Sequence, residues 1–185
     1  MIAALFRRDS ARRRAVEGLH AAISAAARRP GLYTRLAVPD TVEGRFEALC
    51  LHVILVLRRL NRLPAPAADV AQDLVNAVFA QLDASLRELG VGDMGVGKRM
   101  KKLGAAFYGR ATGYDAALDA GDGAALAVVL ARNVLGGAGD AVGLAAYVLA
   151  ADAALAEVNL DGLLGAGPPF PEPDAFAPAP TGDRI

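Results

Sequence analysis

From Val42 to Leu60 apolar side chains return every three or four positions, at Val42, Phe46, Leu49, Val53, Leu57 and Leu60. A second set, Leu51, Ile54, Leu55 and Val56, widens the apolar surface around most of the circumference. A period near 3.6 with this breadth describes a helix buried on nearly every side, and it excludes a strand, whose period is two. Such a helix needs other helices packed around it. The chain supplies them in segments punctuated by glycine and proline.

A first helix is predicted from about Ser10, as N-cap, to Arg29, with Val16, Leu19 and Ile23 facing inward and Pro30-Gly31 ending it. After a loop of about ten residues, Pro39-Asp40-Thr41 starts the central helix; Asp40 or Thr41 can cap it, and Glu43 stands in capping-box register with Asp40. A third helix runs from Ala67 to Leu89, with Leu74, Val78, Leu82, Leu86 and Leu89 as its buried stripe. The glycine-rich stretch Gly90 to Gly97 reads as a loop. A fourth helix follows with Val96, Met100, Leu103, Phe107, Tyr114 and Leu118 at helical intervals, and two more cover Ala124 to Leu135 and Asp140 to Val158. No segment alternates like a strand. The expected architecture is all-α: an irregular single-domain bundle of about six helices over residues 1–166, then a disordered proline-rich tail over 167–185.

Composition narrows the function. Hydrophobic residues make up 54% of the 185, enough for a sizeable core, and much of that share is alanine, the best helix former. The formal net charge is zero, yet residues 1–110 carry 18 basic and 10 acidic side chains while residues 111–185 carry 2 and 10. That asymmetry suits a surface turned towards a polyanion or an anionic membrane, unless the halves interleave on folding. The single Cys50 excludes an intramolecular disulfide and a four-thiolate zinc site. The longest uncharged apolar runs, within 49–57 and 141–151, fall short of the roughly 20 residues a membrane span needs. The arginines at 7, 8, 12, 13 and 14 have the look of a transit peptide, but helical spacing continues through them into the bundle.

Gly92-Asp93-Met94-Gly95-Val96-Gly97-Lys98 has P-loop spacing up to its lysine. A P-loop also needs Ser or Thr after that lysine and a strand before the first glycine, whereas Arg99 follows and a helix precedes. A helix end and linker is the simpler reading. It leaves Lys98, Arg99, Lys101 and Lys102 at the positive end of a helix dipole. Either solvent screens them or they form an anion site with the glycine-loop amides, for phosphate of RNA, of lipid, or for an acidic peptide. Cys50 and His52 stand two apart on one helix and cannot share a metal; a core cysteine and a partly buried histidine are expected. Asp40, Glu43 and Glu47 are explained by capping and surface pairing with Arg45. No catalytic residue, metal ligand or cofactor is expected, and two histidines in all argue against haem ligation.

The stretch Val38-Pro39-Asp40-Thr41-Val42-Glu43-Gly44-Arg45-Phe46-Glu47, continuing through Leu51-His52-Val53 to Val56-Leu57-Arg58-Arg59-Leu60, resembles the signature of the ubiquinol-cytochrome c chaperone family. Leu82-Asp83, Ser85 to Asp93, Gly95 to Lys102 and Ala106 to Arg110 resemble its other block, and the likeness covers about residues 10–160 in order. The resemblance implies an assembly chaperone that assists newly made cytochrome b into the bc1 complex. It makes Pro39, Asp40, Thr41, Gly44, Phe46, Gly92, Gly95 and Gly97 family-motif residues, expected to be structural. The basic face expected to meet client, lipid or RNA phosphate is Lys98, Arg99, Lys101 and Lys102, with Arg45 and Arg110 beside it. Expected partners are cytochrome b and, as a second contact, the ribosome or the anionic inner-membrane surface; a small partner subunit enters only through the mitochondrial relatives. The alanine- and arginine-rich composition looks bacterial, so the expected location is the bacterial cytoplasm, with the inner-membrane periphery as an alternative, rather than the mitochondrial matrix side. From a different class, a membrane-surface adaptor binding anionic lipid through the first-helix arginines is the alternative.

Overall fold

The broad apolar segment 42–60 forms the central helix of the fold. The structure, a computed structural model, describes residues 2–177 except 89, 91 and 138, and for residues 2–9 and 94 the backbone alone. Among the described residues there are eight α-helices: α1 (Ile2–Ala26), α2 (Pro30–Thr34), α3 (Val42–Leu60), α4 (Ala67–Glu88), α5 (Asp93–Asp119), α6 (Gly123–Asn133), α7 (Val142–Ala156) and α8 (Leu160–Gly165). A single 3-10 turn, Pro173–Phe176, follows. No strand occurs among them, so the fold is all-α, as the periodicity requires.

Helix α3 packs against α1, α4, α5 and α7, and α6 joins the bundle through α5 and α7. Leu51, Val53, Ile54, Leu55, Val56 and Leu60 of α3 are buried with Leu19 and Ile23 of α1, Leu74 of α4, Leu126 and Leu130 of α6, and Tyr147, Val148 and Ala151 of α7. The alanines of α7 give it an apolar, narrow surface that can be enclosed on several sides.

The start of α3 shows why its sequence is so particular. Thr41 is the cap, its hydroxyl accepting from the Gly44 amide at 3.1 Å, while Asp40 instead accepts from Arg45 at 2.7 Å. Of the two possible caps the chain uses the threonine. At Gly44 a Cβ would lie 1.9 Å from the Pro39 carbonyl oxygen, so the approach of the chain to its own helix admits only glycine.

Several expectations are corrected. Ser10 is not an N-cap: α1 runs through it from Ile2, because the residues before it are ordinary helix formers with no stop signal. The loop after Pro30 contains α2, and α8 adds a further helix, capped by the Asn159 side chain accepting from the Gly162 amide. Helix α5 begins at Asp93, so Gly95 and Gly97 are helical and only Gly92, as cap, stays outside.

The proline-rich segment also departs from expectation as far as Ala177. Phe170 is only 6% exposed, and the 3-10 turn packs on α2 and α7. The Arg29 guanidinium donates to the Phe170 and Pro171 carbonyls at 2.9 and 2.8 Å, replacing the ladder that prolines cannot make. Residues 178–185 of the expected tail lie outside the described residues.

Two polar contacts cross the core. His52 is fully buried, not partly; its Nδ1–H donates to the Ala48 carbonyl at 2.7 Å, which leaves Nε2 to accept from the Tyr147 hydroxyl at 2.7 Å. Burial pushes His52 down to about 4, so it is neutral at pH 7. Its ring meets Phe170 edge-on at 4.7 Å. At the other end of α3, buried Arg58 donates to Asp115, Asp119 and Asp152 at 2.9, 2.7 and 3.0 Å.

Candidate functional site

The apolar stripes of α3 and α4 do not end where the core ends. Val42, Phe46 and Leu49 continue the stripe of α3 outward, and Val78, Leu82 and Leu86 continue that of α4. Leu103 and Ala106 of α5 face them across a gap. These residues line an open groove of about 780 Å³, together with Ser24 and Ala27 of the first helix and its following turn. Val42 is 75% exposed there, although its position in the stripe reads as core.

Charged side chains surround this apolar surface. Arg28, Arg45, Arg99, Lys102 and Arg110 line the groove, against Glu43 and Glu47. Arg45 pairs with Asp40 and lies over the Tyr33 ring at 5.6 Å. Arg110 donates to Glu47 Oε1, and both side chains are mostly enclosed, at 19% and 12% exposed. Burial raises the Glu47 pKa and the Arg110 contact works against that rise. Glu47 Oε2, Arg110 Nε and the hydroxyl of Ser24, a residue 7% exposed, are buried without a hydrogen-bond partner among the described residues.

The predicted basic cluster is divided by helix geometry. Arg99, Lys102, Leu103, Ala106 and Arg110 share one face of α5 and reach the groove. Lys98 and Lys101 are exposed but do not line it, since each residue along a helix turns by about 100°. The dipole argument for an anion site weakens as well. With α5 starting at Asp93, the cations begin in its second turn, beyond the first turn where the dipole acts, and Asp93 itself occupies that turn. The P-loop spacing is disposed of by the same fact: Gly97 and Lys98 are inside a helix that follows another helix.

Of the family-motif residues, Pro39, Thr41 and Gly44 shape the entry to α3, and Asp40 holds Arg45. Phe46 is a wall of the groove. Gly92 caps α5, its carbonyl accepting from the Gly95 and Val96 amides. Glu47, whose sequence context reads as surface, lies mostly inside and is paired with Arg110. Leu82, Leu86 and Leu103 read in the sequence as core stripe and not as a site, while Ser24 and Arg28 carry no motif, and the one available signal is that the stripes of α3 and α4 extend further than a neighbour can cover. Among the described residues no group of His, Cys, Asp or Glu is arranged to hold a metal, and no helix is long and apolar enough to cross a membrane.

A family model described as ubiquinol-cytochrome C chaperone matches residues 34–170. The crystal structure of the Cbp3 homolog from Brucella abortus is similar with a TM-score of 0.80 and 44% sequence identity, over 90% of this chain and 94% of that one. No curated protein matches the chain. The matched span contains both α3 with its glycine-tight entry and the groove-facing half of α5, so the chain belongs to the ubiquinol-cytochrome c chaperone family.

Proposed function

We propose that this chain is an assembly chaperone for the cytochrome bc1 complex, that newly made cytochrome b is its client, and that the groove between α3, α4 and α5 holds it. Membership of the family supports the assembly role, and one observation carries the placement: the apolar stripes of three helices converge on a surface that no part of the described chain covers. An apolar side chain seated there gains roughly 1.5 to 3 kcal/mol from leaving water. Several such contacts hold a client, and the open side of the groove lets it leave. The action is binding and release, without chemistry on the client.

A photoreactive residue at Leu103 tests this. It is expected to crosslink newly made cytochrome b in the native cell, while the same residue at exposed Val128 on α6 does not. Deleting the protein is expected to lower cytochrome b content and bc1 activity, and Phe46→Asp with Leu103→Asp should fail to restore them. Full restoration by that variant would rule the groove out.

Lys98 and Lys101 favour a second contact. Both are exposed and have no ion pair among the described residues, whereas Arg12 of α1 is engaged with Asp73 at 2.8 Å and Arg13 faces Glu17. An anionic membrane surface can therefore meet α5 through these two lysines. Flotation with anionic vesicles at low salt checks it: binding lost in Lys98→Glu with Lys101→Glu supports the contact, and no binding by the intact chain removes it.

A further inference from the structure

The groove has more character than an apolar surface needs. Five cationic and two anionic side chains line it, and Arg28, Arg99 and Lys102 have no ion pair among the described residues. Against these three cations stands one lining carboxylate without an ion pair among the described residues, Glu43, so the charge around the hydrocarbon walls is positive on balance. Ser24 Oγ, Glu47 Oε2 and Arg110 Nε, on side chains that line the groove, keep hydrogen-bonding capacity that nothing in the described chain uses. Leaving buried polar groups unmatched is costly, so an occupant that supplies partners gains what the free protein forgoes.

We infer that the groove selects a partner helix with carboxylates along its flank and one hydrogen-bonding side chain within its apolar face. This rests on the client reading and adds to it the rule by which a client segment is chosen. A helix suits the shape because three helices form the walls, and side chains at intervals of three and four fill the space between them. The carboxylates face Arg28, Arg99 and Lys102. The single polar side chain meets Glu47, Arg110 and Ser24. A lipid chain offers those already buried polar groups no partner, which disfavours it as occupant.

Synthetic peptides of about 18 residues, long enough to be helical, provide the probe. They share one leucine and alanine face and carry glutamate, glutamine or lysine on the flank. Binding to the full chain by fluorescence anisotropy is expected to fall in that order, by roughly tenfold or more from glutamate to lysine. The spread should narrow between about 50 and about 500 mM salt. Arg99→Glu with Lys102→Glu should invert the order. A serine in place of one central alanine should tighten binding several-fold to the intact chain and not to Glu47→Leu with Arg110→Leu, with circular dichroism confirming that each variant is folded. Equal binding of the three peptides, or binding of phosphatidylglycerol vesicles with no peptide bound, overturns the inference. If the peptide order is absent while Leu103 still crosslinks cytochrome b, the selection rule fails and the client reading stands. If the order is present and the crosslink absent, the groove chooses helices by this rule but serves another client.

Discussion

His52 shows how a single buried polar residue ties distant parts of the chain together. Its two nitrogens join α3 to Tyr147 of α7, and its ring supports Phe170. Tyr147→Phe removes the donor to Nε2 and is expected to cost about 1 to 2 kcal/mol in urea unfolding. The histidine also makes stability depend on pH. Its folded pKa, about 4, lies below its unfolded value of 6.5, so the unfolded chain binds the proton more readily. The contribution is complete above pH 6.5 and is lost as pH falls towards 4, by roughly 3 kcal/mol. Unfolding midpoints followed across that range should drop more steeply in the intact chain than in His52→Gln. Equal slopes would show that His52 is not the group responsible. Cys50, pushed up to about 12 chiefly by burial, stays a thiol and packs as a small apolar residue.

Among the elements, α3 and α5 use glycine for opposite reasons. Gly44 sits where any side chain would strike the Pro39 carbonyl, so Gly44→Ala is expected to destabilise by about 2 to 3 kcal/mol. Gly97 lies exposed inside α5 with nothing within 4 Å of an added Cβ. Gly97→Ala should therefore stabilise by about 0.5 to 1 kcal/mol and leave bc1 assembly intact. Thermal melts of the two variants check both signs. The pair separates two glycines that look alike as family motif: one is required by packing, the other is not required by the fold. A strong assembly defect in a stable Gly97→Ala would instead give that glycine a role at a partner surface.

At the level of the whole molecule, the two halves of the charge map interlock. Arg58, from the basic half, is enclosed by Asp115, Asp119 and Asp152 of the acidic half, and Arg29 reaches Glu172 at 3.4 Å as well as two carbonyls of the proline-rich segment. Part of the positive excess is thus matched internally. Of the described cations without an ion pair, Arg28, Arg99 and Lys102 line the groove and Lys98 and Lys101 lie on α5 outside it. The same interlocking makes residues 167–177 part of the folded body. Phe170→Ala is expected to cost about 3 kcal/mol, and truncation after Ala166 to lower the melting temperature at least as far. A truncated chain that melts with the intact one would contradict this packing.

Helical period, glycine and proline punctuation, and the breadth of the 42–60 stripe determined the class of fold, the six longer helices and which of them is central, because local propensity and amphipathicity act within a few residues. The short helices α2 and α8 and the order at 167–177 were not legible, since segments this short are held by tertiary contacts such as those of Arg29 and Phe170. The groove was legible only as hydrophobic positions. A stripe records which face of a helix is apolar; whether that face meets another helix or open space depends on where the axes diverge. For Val42, Phe46, Leu82, Leu86 and Leu103 that divergence, which only the tertiary structure decides, turns core positions into the walls of an open groove.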